Sequence, residues 1–426
     1  MSSEALDSQV QRMQLAIRGF LSFGPDEASS GDLHRQFLEQ AHGLSDPASG
    51  AVLTSLTEDS CKSIRKLKGE DAKAIIAWLD PVMRRGVVDN KAQQRGIRIM
   101  RKLCRRNNMY PPSIHLPPGK IRLKSEQAEN LGGQADVYMG TLDGQQVAVK
   151  HIRHHENQRL PESQVTAYCK EAVYWRYLRH RNITPFYGVD TTVRNFTLVS
   201  KWMEGKDLRT HLKGNPGANR IRLLLDAARG LRYLHNLGVI HADLKAQNIV
   251  VDEDGVACLC DFGISTLTQN IELYTTPTGS PGAGTLRWKA PELMEESLDP
   301  QGTTHPRHTL GSDIYAFGMT MWEMFTGLLP YHTVHTQIVA VRILEGYLPS
   351  RPPYSWTTEI GLSDEIWALM DDTWAKAPAK RPNIDEVLET LEAQLARRQE
   401  YGIPPQWPMA LVVGQGWGGY RKRDVQ

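Results

Sequence analysis

Between Val239 and Gly263 the chain reads V-I-H-A-D-L-K-A-Q-N-I-V-V and then, after a polar turn, C-L-C-D-F-G. No other stretch restricts the fold as much, because it sets four functional groups at fixed intervals beside short β-branched runs. These are Asp243, Lys245, Asn248 and, eighteen residues after the first acid, Asp261. Moving a phosphoryl group asks for that set: an acid to accept the proton of an attacking hydroxyl, an amide and a second acid to hold a magnesium ion, and a lysine to steady the charge passing to the acceptor. A hairpin loop with ordinary polar residues is the plainer reading, and the spacing together with partner motifs on both sides argues against it.

With 426 residues the chain is long enough for a large core and, as a soft prior, for about three domains. Its 50 basic and 48 acidic residues leave a formal charge of +2, so no global field favours nucleic acid. Five scattered cysteines, Cys61, Cys104, Cys169, Cys258 and Cys260, suit a reducing compartment better than a disulfide framework. The C-x-C pair has no second pair to complete a zinc site. No basic-then-apolar leader, membrane-length apolar run or lipidation box is visible, and a cytoplasmic protein without a membrane span is expected.

The first 109 residues read as helical. Leu6, Val10, Met13, Ile17 and Phe20 form one stripe, and shorter stripes cover Gly31–Ala41, Ser49–Lys66 and Asp71–Leu79. Asp80 followed by Pro81 reads as a cap and a new first turn, which predicts that the helix ends, kinks or restarts there. Ile97, Met100, Leu103 and Cys104 give another stripe whose other faces are basic, with nine Lys and Arg between Arg84 and Arg106 against the single acid Asp89. That face is either simply solvated or docks on an acidic partner, an anionic lipid or the rest of this chain. Four prolines between Tyr110 and Gly119 then predict a stiff extended connector over residues 110–118.

From Ile121 the pattern turns to strands. A-E-N-L-G-G-Q-A-D-V-Y-M-G precedes G-Q-Q-V-A-V-K, an alternating strand that ends in Lys150; further on stand F-T-L-V-S, G-T-L-R-W-K-A-P-E, S-D-I-Y-A-F-G-M and K-R-P-N-I-D-E-V. Together with the stretch around Asp243, these motifs resemble the eukaryotic protein kinases over about Gly119–Ala396. The R-W dipeptide and the L-V-S strand end are most similar to the tyrosine-kinase-like group of serine/threonine kinases. E-A-V-Y-W-R-Y-L-R-H-R-N-I-T-P-F-Y-G-V and the helical stretch ahead of Y-P-P resemble the expanded kinases of mushroom-forming fungi.

The resemblance implies an α+β, two-lobed protein kinase fold at 119–396, with a small antiparallel β lobe carrying one helix and a large α-helical lobe. An α-helical region precedes it at 1–109, and a flexible tail follows at 397–426. It implies ATP and Mg²⁺ as cofactors, with Asp243, Lys245, Lys150 and Glu171 catalytic and Asn248 and Asp261 as the metal ligands. Gly132, Gly133, Val137, Ala148, Lys150, Lys201, Met203 and Asp207 would bind the nucleotide, Asp207 at the ribose. Lys245 and Thr285 favour Ser/Thr acceptors on protein substrates. Asp313 would hold the catalytic loop, Arg381 would pair with Glu292, and the small Ser200 would leave room for a bulky inhibitor. Three departures stand out: Asn130 and Ala135 replace two of the three loop glycines, and Ala242 replaces the arginine that meets an activation-loop phosphate. A pseudokinase scaffold therefore stays open beside an active enzyme, as does a partner protein recruited by the N-terminal helices.

Overall fold

The computed structural model describes residues 3–22, 39–41, 44, 46–86, 89–131, 135–152, 162–193, 196–262, 286–295, 308–397, 400–404, 407–408 and 420–422. The chain divides into two compact units, residues 1–179 with 185–201, and residues 180–184 with 202–426. The first 118 residues therefore belong to the same unit as the strands that follow them.

The first unit opens with α1 (Ser3–Ser22), α2 (Asp46–Ser55), α3 (Glu58–Ile64), α4 (Gly69–Arg85) and α5 (Asn90–Asn107). Of the Gly31–Ala41 stripe, residues 31–38 lie outside the described residues. Thr57 and Asp89 cap α3 and α5 by accepting from Ser60 N at 3.1 Å and Ala92 N at 2.8 Å. Of the outcomes predicted at Pro81, an end and a restart do not occur, since α4 runs through it to Arg85 and ends at Gly86 in the left-handed region. Asp80 is no cap: its Oδ1 accepts from Ser113 Oγ at 2.6 Å and Tyr177 Oη at 3.0 Å and lies 3.2 Å from Arg84 Nε.

The proline-rich segment is no free spacer either. It forms a short turn at Pro112–Ile114 and lies along a sheet edge, with Ile114 fully buried. The sheet is antiparallel, built from β1 (Ile121–Leu123), β2 (Asn130–Leu131), β3 (Ala135–Leu142), β4 (Gln145–Ile152), β5 (Phe186–Asp190) and β6 (Thr197–Lys201) in the order β1-β3-β4-β6-β5, with β2 against β3. Leu116 N donates to Val189 O on β5 at 2.8 Å. The approach needs Gly188: it sits at φ +149° beside a register shift, and a Cβ there would meet Ile114 O at 2.6 Å. One helix, α6 (Glu162–Trp175), precedes β5.

The second unit is mainly helical: α7 (Leu208–Gly214), α8 (Arg220–Asn236), the hairpin β7 (Ile249–Val251) and β8 (Ala257–Leu259), then α9 (Glu292–Glu295), α10 (Leu310–Thr326), α11 (Thr336–Leu344), β9 (Tyr347–Pro349), α12 (Asp364–Thr373), α13 (Ile384–Arg397) and β10 (Tyr420–Lys422). Every residue of α10 from Ser312 to Thr326 is buried, which marks it as the axis of this unit. A reciprocal Thr309–Ser312 capping box fixes its start and Gly327, at φ +72°, its end.

Residues 397–426 do not behave as the expected tail where they are described. Gly402 N donates to Glu359 O at 2.8 Å, the Arg220 guanidinium lies 4.9 Å from the Trp407 ring, and β10 pairs antiparallel with β9. Aromatic anchors at Tyr401, Trp407 and Tyr420 hold this stretch, and isolated anchors leave no period to read. No helix among the described residues is long and apolar enough to cross a membrane.

Candidate active site

The catalytic stretch is assembled in the second unit by two neighbours, α10 beneath it and the β7–β8 hairpin beside it. Asp313 Oδ2 accepts from His241 N at 2.8 Å and its Oδ1 from Ala242 N at 2.9 Å, while His235 donates from Nε2 to Oδ2 at 3.0 Å. These bonds hold Ala242 at φ +68°, a left-handed conformation that costs a non-glycine residue about 1 kcal/mol or more. His241 is fully buried, and burial lowers its pKa against the nearby carboxylates of Asp313, Asp243 and Asp261, which keeps the imidazole neutral.

The loop so fixed brings three of the predicted residues into contact. Lys245 Nζ donates to Asp243 Oδ2 at 2.9 Å, and Asn248 Nδ2 donates to the same oxygen and to Asp243 O, both at 2.7 Å. Oδ1 of Asp243 is buried and has no hydrogen-bond partner among the described residues. One carboxylate oxygen is thus fixed by a cation and an amide, and the other is left as an acceptor, an arrangement chemically able to take a hydroxyl proton. Asn248 uses its amide nitrogen on Asp243, so its hard carbonyl oxygen is the atom suited to a cation. Cys260 N donates to Asn248 O at 3.0 Å, which places Asp261, at φ +59°, next in the chain to the residue bonded to Asn248. An amide oxygen and a carboxylate match magnesium, which takes few protein ligands and keeps water and phosphate oxygens for the rest.

Of the predicted nucleotide residues, Val137, Ala148 and Lys150 share one face of the first unit's sheet. Val137 is the register partner of Lys150, Ala148 lies two residues before it, and Ala148 pairs with Ser200. Gly132 and Gly133 lie outside the described residues. Glu171 lies on α6, and its side chain is likewise outside the described ones. Lys201 N donates to Pro185 O at 2.9 Å, and Met203, packed on Val256 and Cys258, accepts from Lys206 N at 3.0 Å. Asp207 also caps α7, accepting from Thr210 N at 3.1 Å and from Thr210 Oγ1 at 2.6 Å. The hydroxyl-rich stretch from Ser265 to Thr285 lies outside the described residues.

Two supports are not visible as such in the sequence. Glu323 is buried on α10 and accepts from Ala246 N and from Trp288 Nε1, both at 3.1 Å, so one carboxylate ties the catalytic loop to the R-W dipeptide. Burial pushes its pKa from 4.5 up to about 7, with those donors, Arg209 and Lys245 acting in the other direction. Arg287 is buried and donates to Pro330 O, Tyr331 O, Val334 O and Thr336 Oγ1. The only signal for Glu323 is an acid set in the apolar later turns of that helix. The expected pair is present: both terminal guanidinium nitrogens of Arg381 donate to Glu292 at 2.7 Å.

Residues 126–391 match the family model described as protein tyrosine and serine/threonine kinase. The chain belongs to that protein kinase family. Among its relatives, serine/threonine-protein kinase STY17 of Arabidopsis thaliana is 28% identical over 303 residues, 68% of this chain and 49% of that protein. Serine/threonine/tyrosine-protein kinase HT1 of the same plant is 31% identical over 270 residues, 61% of this chain and 63% of that protein. Serine/threonine-protein kinase TNNI3K of Homo sapiens is 29% identical over 289 residues, 66% of this chain and 32% of that protein. The chain thus spans about a third to two thirds of the length of these curated kinases. Within the kinase match lie the catalytic loop, α10 and the Glu292–Arg381 pair, whereas α1 to α5 lie outside it.

Proposed function

We propose that this protein transfers the γ-phosphoryl group of MgATP to serine and threonine hydroxyls of protein substrates in intracellular signalling. The observation that carries the reading is the state of Asp243, one oxygen bonded by Lys245 and Asn248 and the other buried and open. Asp243 orients the acceptor hydroxyl and takes its proton as the new P–O bond forms and the bond to the leaving diphosphate breaks. Lys245 neutralises the charge that develops on the transferring group. Asn248 and Asp261 hold Mg²⁺, Lys150 grips the phosphates, and Glu171 positions Lys150. MgATP, when bound, supplies the phosphoryl group and the metal's charge. Gly132, Gly133, Val137, Ala148, Lys201, Met203 and Asp207 cradle the nucleotide, the second lone pair on each Asp207 oxygen serving the ribose alongside the helix cap. The catalytic domain is assigned to 119–396 and the preceding helices to 1–109. All five cysteines are described and none is in a disulfide, which supports a reducing compartment such as the cytoplasm.

The test is transfer from labelled MgATP by the purified chain, to itself and to a generic basic protein, with Asp243→Asn alongside. The wild type transfers to Ser and Thr, read by phosphoamino-acid analysis, and the variant loses about 10²–10⁴-fold. A folded wild type that binds MgATP without transferring phosphate would overturn the reading in favour of a pseudokinase scaffold.

A further inference from the structure

We infer that the N-terminal helices α4 and α5 are a built-in brace that sets the position of helix α6, and through it the action of Glu171 on Lys150. The inference rests on the kinase reading above for the role of Glu171, but the brace itself is visible in contacts that lie outside the matched domain on one side and inside it on the other.

Helix α6 is held from two sides. Tyr168 and Trp175, seven residues apart and so on one face, meet the sheet region through Phe196 at 5.4 Å and Phe186 at 5.2 Å between ring centroids. Lys170 and Tyr174, one turn apart, lie on the opposite face at about 100° per residue. There Lys170 Nζ donates to Asn108 Oδ1 at 2.7 Å, and the Arg101 guanidinium lies 5.5 Å from the Tyr174 ring. The turn after α6 is tied as well: Gln93 Nε2 donates to Tyr177 O at 3.0 Å, and Tyr177 Oη donates to Asp80.

The chemistry of these ties decides between a brace and ordinary packing. Apolar packing lets a helix slide or rotate at little cost, whereas a buried polar network is satisfied in one register only. Asp80 Oδ1 is shared by Ser113, Tyr177 and Arg84, and Tyr177 is itself fully buried. A shift of α6 carries with it Tyr177, two residues beyond its end, and strands that buried hydroxyl. The basic face of α5 is in part explained by the same contacts, since Arg101 faces α6 and Arg95 donates to Leu53 O and Thr54 O on α2.

The experiment compares full-length Asp80→Ala and Asp80→Asn with wild type. Asparagine keeps an acceptor oxygen for Ser113 and Tyr177, and alanine removes it. Two readouts are taken: hydrogen exchange by mass spectrometry, and kcat and KM for a generic basic protein. In Asp80→Ala, exchange across 162–175 rises about tenfold or more while 310–326 is unchanged. Its kcat falls about tenfold or more with acceptor KM within about twofold, as expected when a positioning element shifts. Asp80→Asn restores most of both. Unchanged exchange in 162–175, or faster exchange there with unchanged kcat, would overturn the proposal. Should Asp80→Ala not fold, Lys170→Met takes its place on the outer face of α6, with about threefold effects expected on the same two readouts. If wild type itself transfers no phosphate, the exchange result still decides whether the brace holds α6, and the failure then belongs to the kinase reading.

Discussion

Helices α6 and α10 each carry a residue on which the proposed chemistry depends, and they are supported in opposite ways. The support of α10 is internal to the kinase match, with a capping box, burial on every face, and two carboxylates, Asp313 and Glu323, directed at the catalytic stretch. The outer face of α6 is held by Arg101 and Asn108, and the turn after it by Asp80 and Gln93, all of which precede that match. The loop around Asp243 is thus stiffened from within the kinase match, while the support of α6 comes in part from residues that precede it. A support drawn from outside the domain is one that an N-terminal event can alter without touching the chemistry.

The largest effect is expected from breaking the internal support. Asp313→Ala removes the acceptor for His241 N, Ala242 N and His235, and leaves two buried backbone donors unpaired. The loss is about 2–6 kcal/mol in stability, from two unpaired groups at about 1–3 kcal/mol each. Transfer falls at least about 10²-fold because the strained Ala242 is released and Asp243 with it. Denaturant unfolding and a transfer assay check both. Retained activity with intact stability would mean the loop is held by something other than α10.

A pH comparison comes next and isolates Glu323. Its carboxyl moves from an ordinary 4.5 to about 7 on burial, so the folded state disfavours ionisation. The sign follows: no penalty exists below about pH 4.5, where both states are protonated, and it grows as the unfolded chain ionises. It is fully present above about pH 7, where it is on the order of 3 kcal/mol. Glu323→Gln removes that titration and keeps an acceptor for Ala246 and Trp288. Unfolding at pH 5 and pH 8 should show the wild type losing more stability across the interval than the variant. Equal losses would place the proton elsewhere.

These supports differ in how far the sequence shows them. The quartet Asp243, Lys245, Asn248 and Asp261 is legible because its members sit within a few residues of two short strands, and Asp313 and the Glu292–Arg381 pair come with the same motifs. Asp80 misleads because a local rule, acid then proline, points to a helix break, whereas its partners Ser113 and Tyr177 lie 33 and 97 residues away. Glu323 is hidden inside a helix that reads as core from its apolar content. The docking of Tyr401, Trp407 and Tyr420 rests on single aromatic anchors. In each case the missing information is a tertiary partner, which no window along the chain contains.

Glycines sharpen the same contrast at smaller energies. A Cβ at Gly318 on α10 would come 1.9 Å from Thr373 Oγ1 and 2.8 Å from Trp374 Nε1, groups on or next to α12 with little freedom to move. A Cβ at Gly96 on α5 would meet Met83 at 2.3 Å from its sulfur, near the end of a pliable side chain. Gly318→Ala should therefore destabilise by about 1–3 kcal/mol and Gly96→Ala by less than about 1 kcal/mol, methionine adapting where the α10–α12 contact does not. Thermal unfolding of the two variants ranks them, and the reverse order would mean the N-terminal helices are packed more rigidly than the second unit's central helix.

The smallest effect tests the brace at its base. Asp89 caps α5 by accepting from Ala92 N at 2.8 Å and also takes Thr54 Oγ1 at 2.9 Å, so it joins α5 to α2 as well as starting it. The Ala92 N–H holds its pKa below the ordinary 3.8, the opposite direction to Glu323. Its contribution is present above about pH 4 and fades as the pH falls through the lowered value. Asp89→Ala should lose about 1 kcal/mol at pH 7. The two helix supports then fail at opposite ends of the pH scale: Glu323 weakens the second unit as the solution turns neutral, and Asp89 weakens the N-terminal helices as it turns acidic. Hydrogen exchange at pH 7 should show the Asp89→Ala opening in 90–107 and, through Gln93 and Arg101, in 162–177, with 310–326 unchanged. Opening limited to the first turn of α5 would show that the cap and the brace are energetically separate.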